Sequence, residues 1–194
     1  MRKAILLLLL LATPLFAQDP QRQAVFCKEK YALCIKAPCL PIVTRGQDGK
    51  YTVSQANCTC AVESGWSMGP GSCDDRKPVT RDGRTYLVST YSNLFNTTNK
   101  TLTCDKPDTP WAVCYGAPCT IDPKDPNKAV CTCPLSTGKM KTLGGDCRKT
   151  ACTSLWSAAT FAEYDFSNKH FYEYMKEHKL LPPPNPPATE CPGK

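Results

Sequence analysis

Sulfur dominates the chemistry open to this 194-residue chain, which carries fourteen cysteines. Twelve of them follow one spacing twice: Cys, gap, Cys-x4-Cys, gap, Cys-x-Cys, gap, Cys. The first set is Cys27, Cys34, Cys39, Cys58, Cys60 and Cys73; the second is Cys104, Cys114, Cys119, Cys131, Cys133 and Cys147. Cys152 and Cys191 stand outside both sets. A cysteine sulfur can close a disulfide, ligate a soft metal as a thiolate, or act as a nucleophile, and compartment and neighbours decide which. Cys58-Thr-Cys60 and Cys131-Thr-Cys133 have the proximity that copper(I), zinc or dithiol exchange would need, but neither is the Cys-x-x-Cys of redox proteins. An even, duplicated set behind an apolar leader favours full oxidation, so a covalent framework is expected, with no metal and no cofactor.

A second chemical pattern is Gly65-Trp-Ser-Met-Gly69, which matches the Gly-x-Ser-x-Gly nucleophile elbow. That elbow requires a buried strand before the serine and a helix after it. Here Cys58 and Cys60 precede it, Pro70-Gly71 follows, and nothing alternates β and α along the chain. Asp165 and His170 complete the order of a triad only superficially, reading more simply as a helix-start acid and a solvated helix histidine. No catalytic residue is therefore expected. His170 and His178 lie eight apart without other ligand types beside them, a poor basis for a shared metal.

Binding is the better expectation, since loops on a cross-linked scaffold have already lost their ordering entropy. Trp66, Trp111 and Trp156 are large for modules with little interior, so surface positions are expected for some of them. Arg76, Lys77, Arg81 and Arg84 form the densest basic cluster, interleaved with Asp74, Asp75 and Asp82. Trp66, Trp111 and Arg81 are the candidate contacts, with another protein or a glycan as the partner. The alternative is a proteinase inhibitor, with Lys139, Met140 and Lys141 as specificity residues between Cys133 and Cys147. A thiol-redox enzyme or a Ser67 hydrolase is the more distant reading. Asn57-Cys-Thr59, Asn96-Thr-Thr98 and Asn99-Lys-Thr101 are N-glycan acceptor sequences in a glycosylating host.

Positioning these residues falls to short elements. Met1 to Ala17 carries Arg2 and Lys3, an apolar run and a small-residue end, the anatomy of a cleaved signal peptide, so a secreted or periplasmic location is expected. Past that point 22 basic residues face 17 acidic ones, a net of +5 that is dispersed, which argues against a nucleic-acid role. No apolar stretch reaches the ~20 residues of a membrane span, so none is expected. Residues 18–73 and 104–147 form two cysteine-rich modules of about 45 cross-linked residues, too small to rest on an apolar core alone. Tyr31-Ala-Leu-Cys-Ile-Lys-Ala-Pro-Cys39 matches Trp111-Ala-Val-Cys-Tyr-Gly-Ala-Pro-Cys119, which carries the duplication beyond cysteine. Asp48-Gly49 between β-rich runs predicts a hairpin, and Asp122 to Asn127 predicts a smaller one in the second module.

Residues 74–103 are a β-rich connection in which Thr85 to Phe95 and Lys100 to Cys104 are expected to pair around Asn96 to Asn99. In the aromatic stretch 148–181, Leu155 to Phe166 suits strand or helix, while Ser167 to Leu180 reads as a helix capped by Ser167 or Asn168. Pro182 to Pro187 should end it within a proline-rich tail, 182–194, stapled back by a Cys152 to Cys191 bridge. The fold class is thus small and disulfide-rich, mainly β hairpins and loops in two tandem repeats, with a C-terminal helical segment.

The cysteine spacing over Cys27 to Cys73 and Cys104 to Cys147 resembles that of EGF-like domains, where six cysteines end in Cys-x-Cys, gap, Cys. The resemblance implies first-to-third, second-to-fourth and fifth-to-sixth pairing: Cys27 to Cys39, Cys34 to Cys58, Cys60 to Cys73, and likewise in the second set. The proline before the third cysteine, the missing glycines and the absence of an acidic calcium-binding lead-in depart from that pattern.

Overall fold

A computed structural model describes residues 24–92, 100–143 and 152–180, with the backbone of 189–190. It is mostly β-strand, with six disulfides and one C-terminal helix. The strands are β1 (Val25–Leu33), β2 (Cys39–Arg45), β3 (Tyr51–Gly69), β4 (Val79–Arg81), β5 (Arg84–Thr90), β6 (Lys100–Cys104), β7 (Pro110–Ala112), β8 (Pro118–Asp122), β9 (Asp125–Thr137), β10 (Met140–Leu143) and β11 (Thr189–Glu190).

The 19-residue β3 organises the larger sheet. Its second half pairs antiparallel with β1, and its first half pairs with β2 on one side and β9 on the other. Since β1 also meets β5, β5 meets β8, and β8 meets β9, the pairings β3-β1-β5-β8-β9-β3 close into a ring. Closure satisfies the edges of these five strands where they pair. The expected hairpin forms around Gly46 to Lys50, and that of β8 and β9 is shorter.

Strand alternation sends Ala56, Cys58 and Cys60 of β3 inward, and Ala129, Cys131 and Cys133 of β9 likewise. The interior therefore holds eight half-cystines, six alanines and Leu87 in one buried cluster. Cys39–Cys58 and Cys119–Cys131 bridge directly opposed residues, each with a Cα separation of 4.1 Å, while Cys34–Cys60 and Cys114–Cys133 lie beside them. The β3–β9 register is centred on Cys58 opposite Cys131, with Ala56 opposite Cys133 and Cys60 opposite Ala129. The two cysteine-bearing stretches thus share one closed sheet.

This pairing corrects the EGF-like expectation. The first set nests, with Cys39–Cys58 inside Cys34–Cys60 inside Cys27–Cys73. In the second set Cys104 bonds Cys152, which also removes the expected Cys152 to Cys191 staple. Cys147 and Cys191 lie outside the described residues. The cause is geometric: two residues in a Cys-x-Cys strand face the same way, so both sulfurs turn inward, Cys58 and Cys131 to the opposed cysteine of the hairpin partner and Cys60 and Cys133 to Cys34 and Cys114, which precede that partner strand.

A smaller sheet, in the order β10-β6-β11, and the helix α1 (Phe161–Glu177) cover one flank of the ring. The helix begins earlier than expected. Thr160 is its N-cap and Glu163 completes a capping box, so Ser167 and Asn168 are interior residues. Tyr164, Phe171 and Met175 face inward; the Phe26 ring stacks on Tyr174 at 4.0 Å. The prolines are not what stops it: Lys179 takes a left-handed φ of 54°, and Lys179 and Leu180 donate back to Lys176 and Met175, closing the last turn. The strands expected to pair around residues 96–99 part company, since β5 joins the ring and β6 joins the small sheet. Residues 93–99 are outside the described set.

Candidate functional site

The residues that point out of the ring form the most extensive candidate surface. On β3 the outward positions are Tyr51, Val53, Gln55, Asn57 and Thr59. Cross-strand register extends this face in both directions. Thr59 opposes Val130, Val130 opposes Thr120, Thr120 opposes Tyr86, and Tyr86 opposes Val79. On the other side Asn57 opposes Leu40, Gln55 opposes Ile42, and Val53 opposes Val43 past a bulge. Thr132 Oγ1 donates to Asn57 Oδ1 at 3.0 Å, tying β9 to β3 on this face.

Its apolar content gathers on the β2–β3 arm, which projects past the ring. Leu40 is 75% exposed, Tyr51 70%, Val43 60% and Val53 48%. An isolated exposed aliphatic residue is ordinary; four on one two-stranded arm make a contiguous patch. The arm stays rigid because Cys39–Cys58 bridges its base, and Thr44 and Thr52 join hydroxyls at 2.9 Å on it. Arg45 lies over the Tyr51 ring at 5.9 Å, giving the tip a positive charge held by an aromatic face. Strand β2 ends the sheet order, and its outer edge carries Pro41. Cys39 N donates outward to Leu155 O, so Pro41, two residues on, lies where an outward N–H would sit and withholds it. The edge is thereby blunted against strand addition, while the side-chain face remains open.

At the other end of the face, a surface groove of about 450 Å³ separates the β4–β5 turn from the β8–β9 turn, with Arg84 and Asp122 on its walls and Val130 in its lining. Arg81, exposed and opposite Arg84, flanks the two-residue turn Asp82-Gly83, where φ values of 50° and 70° make a tight hairpin.

The structure does not gather the sequence-predicted site residues. Arg81 is on that hairpin. Trp66 is half-buried on the helical flank, with its ring 5.5 Å from that of Tyr174. Trp111 is only 3% exposed and belongs to the core under the small sheet, as does Trp156, so neither is a surface anchor. The enclosure supplied by the small sheet and helix, invisible in the repeat spacing, explains that correction. The basic cluster also divides. Arg76 is buried, with Nε 3.5 Å from Glu29 and Nη2 donating to Val25 O, while Lys77 pairs with Asp74 at 2.7 Å.

Ser67 is fully buried within β3, and its hydroxyl donates to the Glu29 carboxylate. Gly69 is required by the same cluster, because a Cβ there would collide with Arg76 and Thr90. The Gly-x-Ser-x-Gly pattern is thus strand, with no helix after it, and its serine is spent on a buried ion pair. Asp165 pairs with Lys141 at 3.0 Å and the His170 ring packs on Phe166 at 3.9 Å. Met140 and Lys141 are buried in β10, leaving Lys139 as the exposed member of the expected inhibitory loop. A cleft-filling loop needs its specificity residue presented outward, which of the three leaves Lys139 alone; residues 144–147 of the loop lie outside the described residues.

Sulfur triplets at Cys34, Cys119, Cys131 and at Cys58, Cys114, Cys133 are close enough in space for metal ligation, but each of these sulfurs already forms a disulfide. Among the described residues no cysteine is free. Asn57, the sequon residue within view, is exposed; Asn96 and Asn99 are outside the described residues. No described helix is long and apolar enough to cross a membrane. Comparison with protein-family models, curated proteins and solved structures finds no match to this chain.

Proposed function

We propose that the chain is an exported, non-catalytic binding protein whose β2–β3 arm docks on an apolar patch of a protein partner. One observation carries this reading: Leu40, Val43, Tyr51 and Val53 are exposed together on an arm that a disulfide holds in shape. Three of the four are aliphatic. Sugar rings are gripped by aromatic platforms and convergent polar groups, so a protein surface suits the arm better than a glycan. Pro41 on the free edge supports side-chain docking over strand addition.

Export is supported by the leader-like stretch Met1 to Ala17 and by six disulfides, which persist in an oxidising extracellular or periplasmic setting. The duplicated cysteine spacing and the register centred on Cys58 and Cys131 support two repeats facing each other across β3 and β9. Absence of catalysis is supported by the burial of Ser67 and by the oxidation of every described cysteine.

The test is site-specific photo-crosslinking in the producing cells. A benzophenone amino acid at Val43 should give one discrete heterologous protein adduct, absent when the probe sits at Glu177 on the helix and lost on adding Val53→Asp. An unchanged adduct pattern in Val53→Asp, identical adducts from both positions, or adducts containing only a second copy of this chain would overturn it.

A further inference from the structure

A cavity of about 200 Å³ lies between the helical flank and the ring, bounded by Tyr91, Trp111, Tyr115 and Phe166 and by the carboxylate-bearing Glu163. That volume would hold about six waters. Four of its nine lining residues carry rings, of which Tyr91 and Tyr115 meet at 4.7 Å; Ala24, Met68, Val113 and Ser167 join Glu163 in completing the lining. Glu163 supplies the single formal charge of the lining. Its Oε2 accepts from Thr160 N at 2.9 Å and from Thr160 Oγ1 at 2.8 Å, which secures the helix start, while no described residue takes Oε1. Trp111 contributes a buried indole Nε1–H that has no acceptor among the described residues. Arg76, whose charge is felt at Tyr115, is committed to Glu29 and lines no part of the cavity.

These features select a ligand. Ring faces with one negative group attract an organic cation. Besides Glu163, the lining offers the hydroxyls of Tyr91, Tyr115 and Ser167, each of which donates as well as accepts; an ammonium with free N–H groups would have to engage about three such acceptors at once, whereas a methylated ammonium asks for none and is satisfied by the rings. The orphan indole donor adds a demand for one oxygen acceptor on the ligand, since a buried unpaired N–H costs free energy that a partner would recover. We infer that this cavity binds a small N-methylated ammonium compound bearing an oxygen acceptor, with Glu163 and the four rings holding the cation and Trp111 Nε1–H donating to the oxygen. The site is separate from the β2–β3 arm and stands or falls independently of it.

Isothermal titration of the oxidised protein with choline tests this, with 3,3-dimethyl-1-butanol as the neutral isostere. Choline should bind saturably and at least about tenfold more tightly than the isostere. Glu163→Gln is the informative variant, because glutamine also completes a capping box and so leaves the helix start intact while removing the charge. Choline affinity should fall about tenfold in Glu163→Gln with the far-ultraviolet circular dichroism unchanged. Equal binding of choline and its isostere, undiminished binding in Glu163→Gln, or no saturable binding of choline or tetramethylammonium at millimolar concentrations would each overturn the assignment.

Discussion

The interior of the ring and the flank covered by the helix bury their surfaces by opposite means. Inside the ring the side chains are small, chiefly alanine and half-cystine, and the strands approach closely enough that the sulfur of Cys34 touches that of Cys131 at 3.3 Å. The flank uses large rings, Tyr31, Tyr164 and Phe171 among them, and leaves a cavity between Trp111, Tyr115 and Phe166. Cross-links let a ring with little apolar volume hold together; large rings bury more area each but tile imperfectly. Covalent closure therefore goes with a filled centre, and aromatic packing goes with the space where a ligand can sit.

Breaking the cross-links should have the largest effect. Replacing both Cys39 and Cys58 by alanine is expected to cost about 2–5 kcal/mol, read from urea unfolding. The ring interior has little else to lose; a change below 1 kcal/mol would mean that its alanines carry the load. Alkaline pH should strike the flank first, because cystines do not titrate and the flank tyrosines do. Burial pushes Tyr115 up to about 12 and raises Tyr91 beyond that. A folded-state pKa above the unfolded value of about 10 gives stability that is intact below pH 10 and lost as pH rises through the folded pKa. Tyrosinate absorbance at 295 nm should therefore lag the value for free tyrosine and rise together with loss of helical dichroism. Full ionisation near pH 10 with the helix intact would break the contrast. The smallest effect belongs to the helix start, where Thr160→Ala should cost about 1 kcal/mol in the same urea titration.

Much of the covalent frame was legible in the sequence, and its wiring only partly so. Asp48-Gly49 sits midway between Cys39 and Cys58, so the hairpin it predicts already opposes those two sulfurs. With Cys60 on the same strand face, Cys34, one residue past the Leu33–Ala61 pair that ends the β1–β3 register, becomes its partner, a deduction that the EGF-like spacing obscured. The helix start was also written, as Thr160-x-x-Glu163, but the aromatic residues around it hid the motif. Cys104–Cys152 had no local signal, since it joins β6 to the segment before the helix. The apolar arm could be read as a hairpin, yet its exposure depends on what fails to cover it. The cavity was least legible: its lining comes from the residue before β1, β3, the residue after β5, the β7–β8 segment and the helix, brought together only once the ring has closed and the helix has packed on its flank.

Ring closure has a consequence for biogenesis. The β3 edge from Gln55 to Ala61 finds its partner only in Lys128 to Pro134, far downstream. A nascent chain emerging amino end first must therefore carry a finished hairpin with one raw edge until that late segment arrives. Oxidation of Cys39–Cys58 can lock the hairpin early, but it cannot shield the waiting backbone. This interval, before β9 docks, is when the polypeptide is most prone to pair with a stranger.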